Sequence, residues 1–570
     1  MLMHSRPVLL FAFAFAVMAD PVSSVAYAIE AALRALHGDL ALLLPTMGLV
    51  VAIVVLVIVN YHQLVARYPQ GGGAAAATGE AFGEGAAFVP IGALIVDFVL
   101  TIAISSAAGA SAVIAFVPAL APWRVLLAVA LVAVVAAGTW FGHLGRTVFA
   151  VMTVVFIALT VVILVSGLFV APQQTGVTTG DPGHSPLLAV ALAFPVAMAL
   201  ATGIEAPSSA IAQLGQLDDP GRRRFGRVTL WLTLGVVGTL TLGLTAQAVR
   251  LGIGVPHENT TQIAELARAA ASGPVFAAFQ LATALLLLSA ASSSFQAGPG
   301  LFKALARRTH PNGPSTGILP GWVGRTNTHH TPYWAVVVFA VAAGIVTAAA
   351  GGRDQQLVLF YAASVFVSFL AGLVAMARFS LRERHHGFLI INLLGAAAVT
   401  FTLVVNLTRG DPIISIGAAL AIAAGLYRLW VRSGRPRGIR NIAAEAELAD
   451  CPPPATGEGA GLAVTTSTSS AHECWQATPP DLTSSVEEPV PLQFMSRTAG
   501  HTVLPRQLID RRASSTATGP GRSDASAHRP GVALGKGSAS GRPGAKPYRL
   551  PRVAQGPTAL STTGRPSALT

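Results

Sequence analysis

Two apolar stretches far apart in the chain each carry an acid, then a proline and two serines. The first reads Ala19-Asp20-Pro21-Val22-Ser23-Ser24, the second Thr202-Gly203-Ile204-Glu205-Ala206-Pro207-Ser208-Ser209. In both, the second serine stands four residues after the carboxylate. A charged side chain at the centre of a bilayer costs roughly 2.5–3.5 kcal/mol on insertion scales. A proline inside a helix removes a backbone hydrogen bond and leaves carbonyl groups exposed. Two such features at related places in two halves predict broken membrane helices whose acids meet at a midplane site, as in carriers built from inverted repeats.

Other residues can join these acids. Tyr27 follows Asp20 by seven residues, nearly two helical turns, so the phenol and the carboxylate share a rough direction. Asp97, Thr101 and Ser105 follow one another at steps of four and fall in one stripe of a helix. Thr202 and Glu205 straddle the second break. Oxygen-only ligation by carboxylates, a phenol and hydroxyls suits a hard monovalent or divalent cation. Three buried carboxylates repel one another, so at least one is expected to carry a proton when no cation is present. Serines in membrane helices commonly bond back to their own backbone, which is the plainer reading of Ser105 and Ser209. Glu30 is expected to be a gate or interfacial residue, and Tyr61, Trp123 and Trp430 interfacial anchors.

The elements that position these residues follow from composition. Apolar residues make up 53% of the 570 and charged residues 11%, with a mean hydropathy of +0.61. Apolar runs recur over the first three-quarters, enough for about 12 transmembrane helices of an all-α polytopic membrane protein. The expected spans are 8–36, 41–60, 86–118, 123–138, 146–170, 186–207, 228–249, 274–297, 333–350, 356–379, 389–407 and 412–431. The run Arg6 to Ala19 followed by Ala26-Tyr27-Ala28 imitates a cleaved signal. Continuation of the apolar pattern to Leu36 favours a retained first span.

The net charge of +12 does not imply nucleic acid, because the basic residues gather in alternate loops and in the tail. Loop 171–184 has no Lys or Arg, whereas Arg222, Arg223, Arg224 and Arg227 crowd one short loop. This bias and an even number of spans place both termini in the cytoplasm. Residues 1–432 form the membrane domain. From Ser433 the composition turns to Pro, Gly, Ser, Thr and Arg, and residues 433–570 are expected to be a disordered cytoplasmic tail. Both cysteines, Cys451 and Cys474, lie there, so no disulfide framework is expected. Nor does any nucleophile–base set, phosphate loop or metal spacing point to an enzyme or a cofactor.

Tyr68-Pro69-Gln70-Gly71-Gly72-Gly73-Ala74 after the second span resembles a cytoplasmic signature of the amino acid-polyamine-organocation (APC) superfamily. So does the stretch from Gln296 to Pro332, with Pro299-Gly300-Leu301, Ala304-Leu305-Ala306-Arg307, Leu319-Pro320 and Thr331-Pro332. The resemblance covers about residues 8–432. It implies a LeuT-like 5+5 inverted repeat with discontinuous helices 1 and 6 and two further spans.

Most amino-acid carriers of that superfamily break helix 1 at glycines, whose bare amides receive a substrate carboxylate. Asp20 would repel one. The set Asp20, Tyr27, Asp97, Thr101, Ser105, Thr202 and Glu205 is instead similar to the potassium-importing branch, the KUP/HAK/KT type and its KimA-like relatives. That resemblance implies potassium at Asp20, Tyr27, Asp97, Thr101, Thr202 and Glu205, a proton as co-substrate, and breaks supported by Pro21, Ser23, Ser24, Gly203, Pro207, Ser208 and Ser209. It also implies import through the plasma membrane by alternating access, and it leaves room for a homodimer. KimA-like importers often end in a folded domain that binds a regulatory nucleotide; the tail here has no alternating strand and helix pattern. The rival reading is an amino-acid or polyamine permease whose amine substrate meets the same acids.

Overall fold

The computed structural model describes residues 6–141, 146–173, 175–176, 185–215, 217–306, 317–410 and 412–448. Strand-type pairing among these is limited to isolated bridges, such as that between Thr175 and Ile253; the named elements are all helical. The first span is built of three segments, α1 (Arg6–Val17), α2 (Ala19–Ser23) and α3 (Val25–Ala35). Then come α4 (Leu40–Arg67), the short α5 (Gly73–Phe82), α6 (Phe88–Phe116), α7 (Arg124–Trp140) and α8 (Arg146–Gly167). The sixth span consists of α9 (Pro186–Ala197), a 3-10 turn Met198–Ala201, a bend, and α10 (Ala206–Ala210). After α11 (Asp219–Leu251) and the short α12 (Gln262–Ala270) come α13 (Gly273–Ala306), α14 (Tyr333–Ala349), α15 (Asp354–Arg382), α16 (His386–Thr408), α17 (Pro412–Arg432) and α18 (Ile442–Leu448).

Ten of these helices or helix pairs are long and apolar enough to cross a bilayer. The segmented first span and the 17-residue apolar α14 complete the expected twelve. Hydrocarbon offers no partner to a bare peptide group, so helices that satisfy their own backbone are the natural spanning element. Exposed apolar side chains such as Leu126, Val134, Ile345 and Leu394 line the outer helices. On a soluble protein such patches would be a liability; here they face lipid. The centre is α6, with 78% of its most apolar window buried, against 22% for α7. It packs on α13, α15, α17 and α7. Small residues let backbones meet: a Cβ on Gly92 of α6 would lie 2.5 Å from the Ala419 carbonyl of α17.

Several expected boundaries move. The arginine-rich stretch 222–227 is the start of α11, not a loop, because Asp218 caps it through the Gly221 N–H (3.1 Å) and Pro220 occupies the first turn. Helix α13 runs through Pro299 to Ala306, so Lys303 stands on a helix rather than in the following connection. The chain does turn at Tyr68–Gly73, where Gly71, Gly72 and Gly73 all adopt positive φ. Residues 433–448 include a 3-10 turn, Ile439–Asn441, and α18, with Ile439 and Ile442 fully buried. Residues 449–570, with Cys451 and Cys474, lie outside the described residues.

Candidate functional site

The two discontinuous spans stand first and sixth in order, and they differ in how they break. The first stays helical through Asp20. Met18 and Ser24 keep right-handed dihedrals, and Val22 still donates to the Met18 carbonyl (2.9 Å). The sixth opens. Thr202 turns extended (φ −54°, ψ 133°) and Gly203 is left-handed at φ +70°.

These breaks face each other. A Cβ on Gly203 would lie 2.7 Å from both Cγ and Oδ2 of Asp20, so the carboxylate rests where any other residue would place its side chain. Tyr27 donates to Thr202 Oγ1 (3.5 Å), and Thr202 donates to the Ala199 carbonyl (2.6 Å). Ser24 donates to the Pro21 carbonyl (2.7 Å) and reaches the Leu200 carbonyl of the sixth span (3.0 Å). Three contacts therefore pin span one to the bend in span six. They join Asp20 to Gly203, Tyr27 to Thr202 and Ser24 to Leu200.

Asp97 of α6 is 4% exposed, and Thr101 and Ser105 on the same stripe are buried. It lies within electrostatic reach of Asp20, Tyr27 and Glu205, and Asp20 and Glu205 also sense one another. Glu205 is 9% exposed, at the end of the bend. One oxygen each of Asp20 and Glu205, and the Ser105 hydroxyl, are buried with no hydrogen-bond partner. A buried polar atom left unpaired costs about 1–3 kcal/mol, more when charged. Among the described residues, the charged groups acting on Asp20 and Glu205 are carboxylates. A buried carboxylate whose charged neighbours are other carboxylates favours a proton or a bound cation.

Not every hydroxyl at the breaks joins this cluster. Ser23 bonds the Asp20 carbonyl and Ser208 the Glu205 carbonyl (both 2.7 Å), which caps the local turns. A Cβ on Gly73 of α5 would meet Ser208 Oγ at 2.8 Å and Ser209 Oγ at 3.6 Å, so these serines lie against α5. Pro21 and Pro207 are buried within their short segments. Among the described residues, no three His, Cys, Asp or Glu side chains gather closely enough to hold a metal by themselves. Hydroxyl and carbonyl oxygens would have to complete any shell.

Sequence reasoning placed Tyr61 at the interface; it is 1% exposed, packed edge-on against Phe369, and within reach of Glu205 and Asp97. Trp430 is likewise buried at 9%, whereas Trp123 is 61% exposed, as an anchor should be. At the far end of span one Glu30, 3% exposed, pairs with Arg34 (2.8 Å) and accepts the Gln262 N–H of α12 (2.9 Å). Beside it Asp354 accepts from Ser111 (2.8 Å) and Gln355 (3.0 Å), while Gln355 also reaches the Tyr27 carbonyl (3.4 Å). Arg124 ties Ser111 (2.9 Å) to the Glu258 carbonyl (2.6 Å). This polar network links α3, α6, α7, α12 and α15.

A family model described as amino acid permease matches residues 9–424. The chain belongs to the amino acid permease family. Its many helices long and apolar enough to cross a membrane make it a multi-pass membrane protein. It is 28% identical over 396 residues to the potassium transporter KimA of Bacillus subtilis (strain 168), a match covering 66% of this chain and 63% of that protein's length. Solved structures with a similar trace include mutants of the Eremococcus coleocola manganese transporter. Two of these show 15% and 16% identity, each covering 75% of this chain and 95% of that one, with TM-scores of 0.39 and 0.40.

Proposed function

We propose that this permease imports potassium with protons across the plasma membrane by alternating access, with both chain ends in the cytoplasm. The observation that carries this reading is the Asp20 carboxylate seated on the bare backbone of Gly203 with one oxygen unpaired. A carrier of zwitterionic amino acids needs backbone amides at that place. An anion there attracts a bare cation and repels a substrate carboxylate.

In this account a potassium ion sheds water among Asp20, Tyr27, Asp97, Thr101, Thr202 and Glu205, with Ser105 further along the α6 stripe. A carboxylate not engaged with the ion takes up a proton on the outer side, so the loaded cluster crosses with less naked buried charge, and ion and proton leave together on the inner side. The arginines at the start of α11 and the ends of α15 and α17 support the cytoplasmic assignment of that face. The similarity to a potassium transporter agrees with the cation reading. Growth of a potassium-uptake-deficient bacterium at low potassium tests it. The chain should rescue growth, and Asp20→Asn or Glu205→Gln should not.

The family model favours one alternative, an amine or cationic amino-acid substrate whose ammonium meets the same acids. Uptake of labelled lysine or polyamine that rubidium fails to compete would establish that reading instead.

A further inference from the structure

The segment that follows the last span is folded back under the bundle. Trp430 Nε1 donates to the Pro436 carbonyl (2.8 Å), and Gly438 turns the chain at φ +89°. The two carboxylate oxygens of Glu84 then accept the N–H groups of Gly438 and Arg440, each at 3.1 Å. Ile439 and Ile442 are fully buried, and Ala443, Ala444 and Ala446 are buried behind them.

The bed for this segment is made of missing side chains. A Cβ on Gly79 of α5 would lie 2.6 Å from Arg440 Cβ. A Cβ on Gly71 would lie 3.3 Å from Ala444 Cβ, and also 2.9 Å from Ala212 Cβ and from the Ser209 carbonyl. Helix α18 thus touches α5, α13, α10 and the 3-10 turn Ile211–Gln213. The last two are the inner half of the broken sixth span, whose α10 has only five residues. A helix that short does not hold itself; its position is set by what packs on it.

We propose that residues 436–446 are a strap that holds the inner half of span six shut, and that each transport cycle must loosen it. This rests on the alternating-access reading above. Two buried isoleucines, Ile439 and Ile442, and the double acceptor Glu84 fix the strap, while Ala444 lies against Gly71 and Arg440 against Gly79. A short segment of this kind beyond the last span can open locally while the bundle stays folded.

The test uses the full chain in membranes with Cys451→Ser and Cys474→Ser, so that a cysteine introduced at Ala212, 4% exposed, is the sole thiol. Maleimide labelling from the inner side should be about ten-fold faster when the strap is displaced by Gly79→Leu or, independently, by Ile439→Asp. Glu84→Gln, which keeps the shape and weakens the cap, should fall between. Unchanged labelling in both displaced variants overturns the strap. In a second arm, Ala212→Cys is paired with Ala444→Cys. A thiol cross-link across the two should abolish rubidium uptake, and a reductant should restore it. Undiminished uptake by the cross-linked protein also overturns the strap. Labelling needs no substrate, so a strap that opens on cue in a chain that carries no rubidium would leave the strap standing and refute the potassium reading alone.

Discussion

The two breaks carry the same kinds of residue and do different things. In span one the acid sits in a five-residue helix, Ala19–Ser23, that continues the line of its neighbours. In span six the helix is interrupted by an extended Thr202 and a left-handed Gly203. Proline beside an acid removes one N–H but leaves φ helical, so span one is dented rather than opened. Glycine admits a backbone conformation that other residues reach only with strain, so span six opens. One break supplies the charge and the other supplies the space for it. The hinge, on this view, belongs to span six.

Among changes to the backbone of the two breaks, the largest effect should therefore come from Gly203. In Gly203→Val the new side chain and the Asp20 carboxylate compete for one volume, and the backbone is strained at φ +70°. Rubidium uptake per folded molecule should fall at least about 100-fold, the scale of a group misplaced by an ångström. Pro21→Ala, by contrast, should cost only a few-fold, because the dented helix can close its missing bond. Equal losses in the two variants would erase the difference between the breaks.

Glu205→Gln comes next. Its unpaired oxygen lies at the end of the bend, and removing the charge leaves the shape. Maximal uptake should drop about ten-fold or more, with folding intact by thermal melting, as for a charge whose role is to hold a cation or a proton. Uptake that stays at the parent level would assign Glu205 to the bend alone.

Much of this was legible in the sequence, for reasons that can be named. Asp20 and Glu205 are conspicuous because a carboxylate in an apolar run is costly, and costly residues are rare. The spans are legible because lipid demands about 20 apolar residues at a time. What stayed hidden depends on contacts between distant residues. Tyr61 looked like an anchor from its place near the end of an apolar run, yet α4 turns it inward beside Glu205. Glu30 gave no hint of Gln262, 232 residues away. The polar average of residues after Ser433 masked Ile439 and Ile442, two side chains that are fully buried once the chain folds back on distant elements.

Smaller effects sharpen the comparison at the edges. Tyr27→Phe removes the long phenol contact to Thr202 (3.5 Å). A hydrogen bond of that kind contributes about 1 kcal/mol, so the apparent affinity for rubidium should weaken about five-fold with little change in maximal rate. Glu30→Gln breaks the pair with Arg34 at the α12 end, where Arg34 is 39% exposed. It should change uptake least, by about two-fold, and make the rate less sensitive to ionic strength.

The most direct measurement is rubidium flux into proteoliposomes holding the purified chain, compared with Asp20→Asn, at two external pH values. The parent should carry rubidium, faster under an inward proton gradient and in competition with potassium, and Asp20→Asn should carry none. Flux that survives Asp20→Asn, or a parent that carries labelled amine while ignoring rubidium, would contradict the claim that this carboxylate holds the ion.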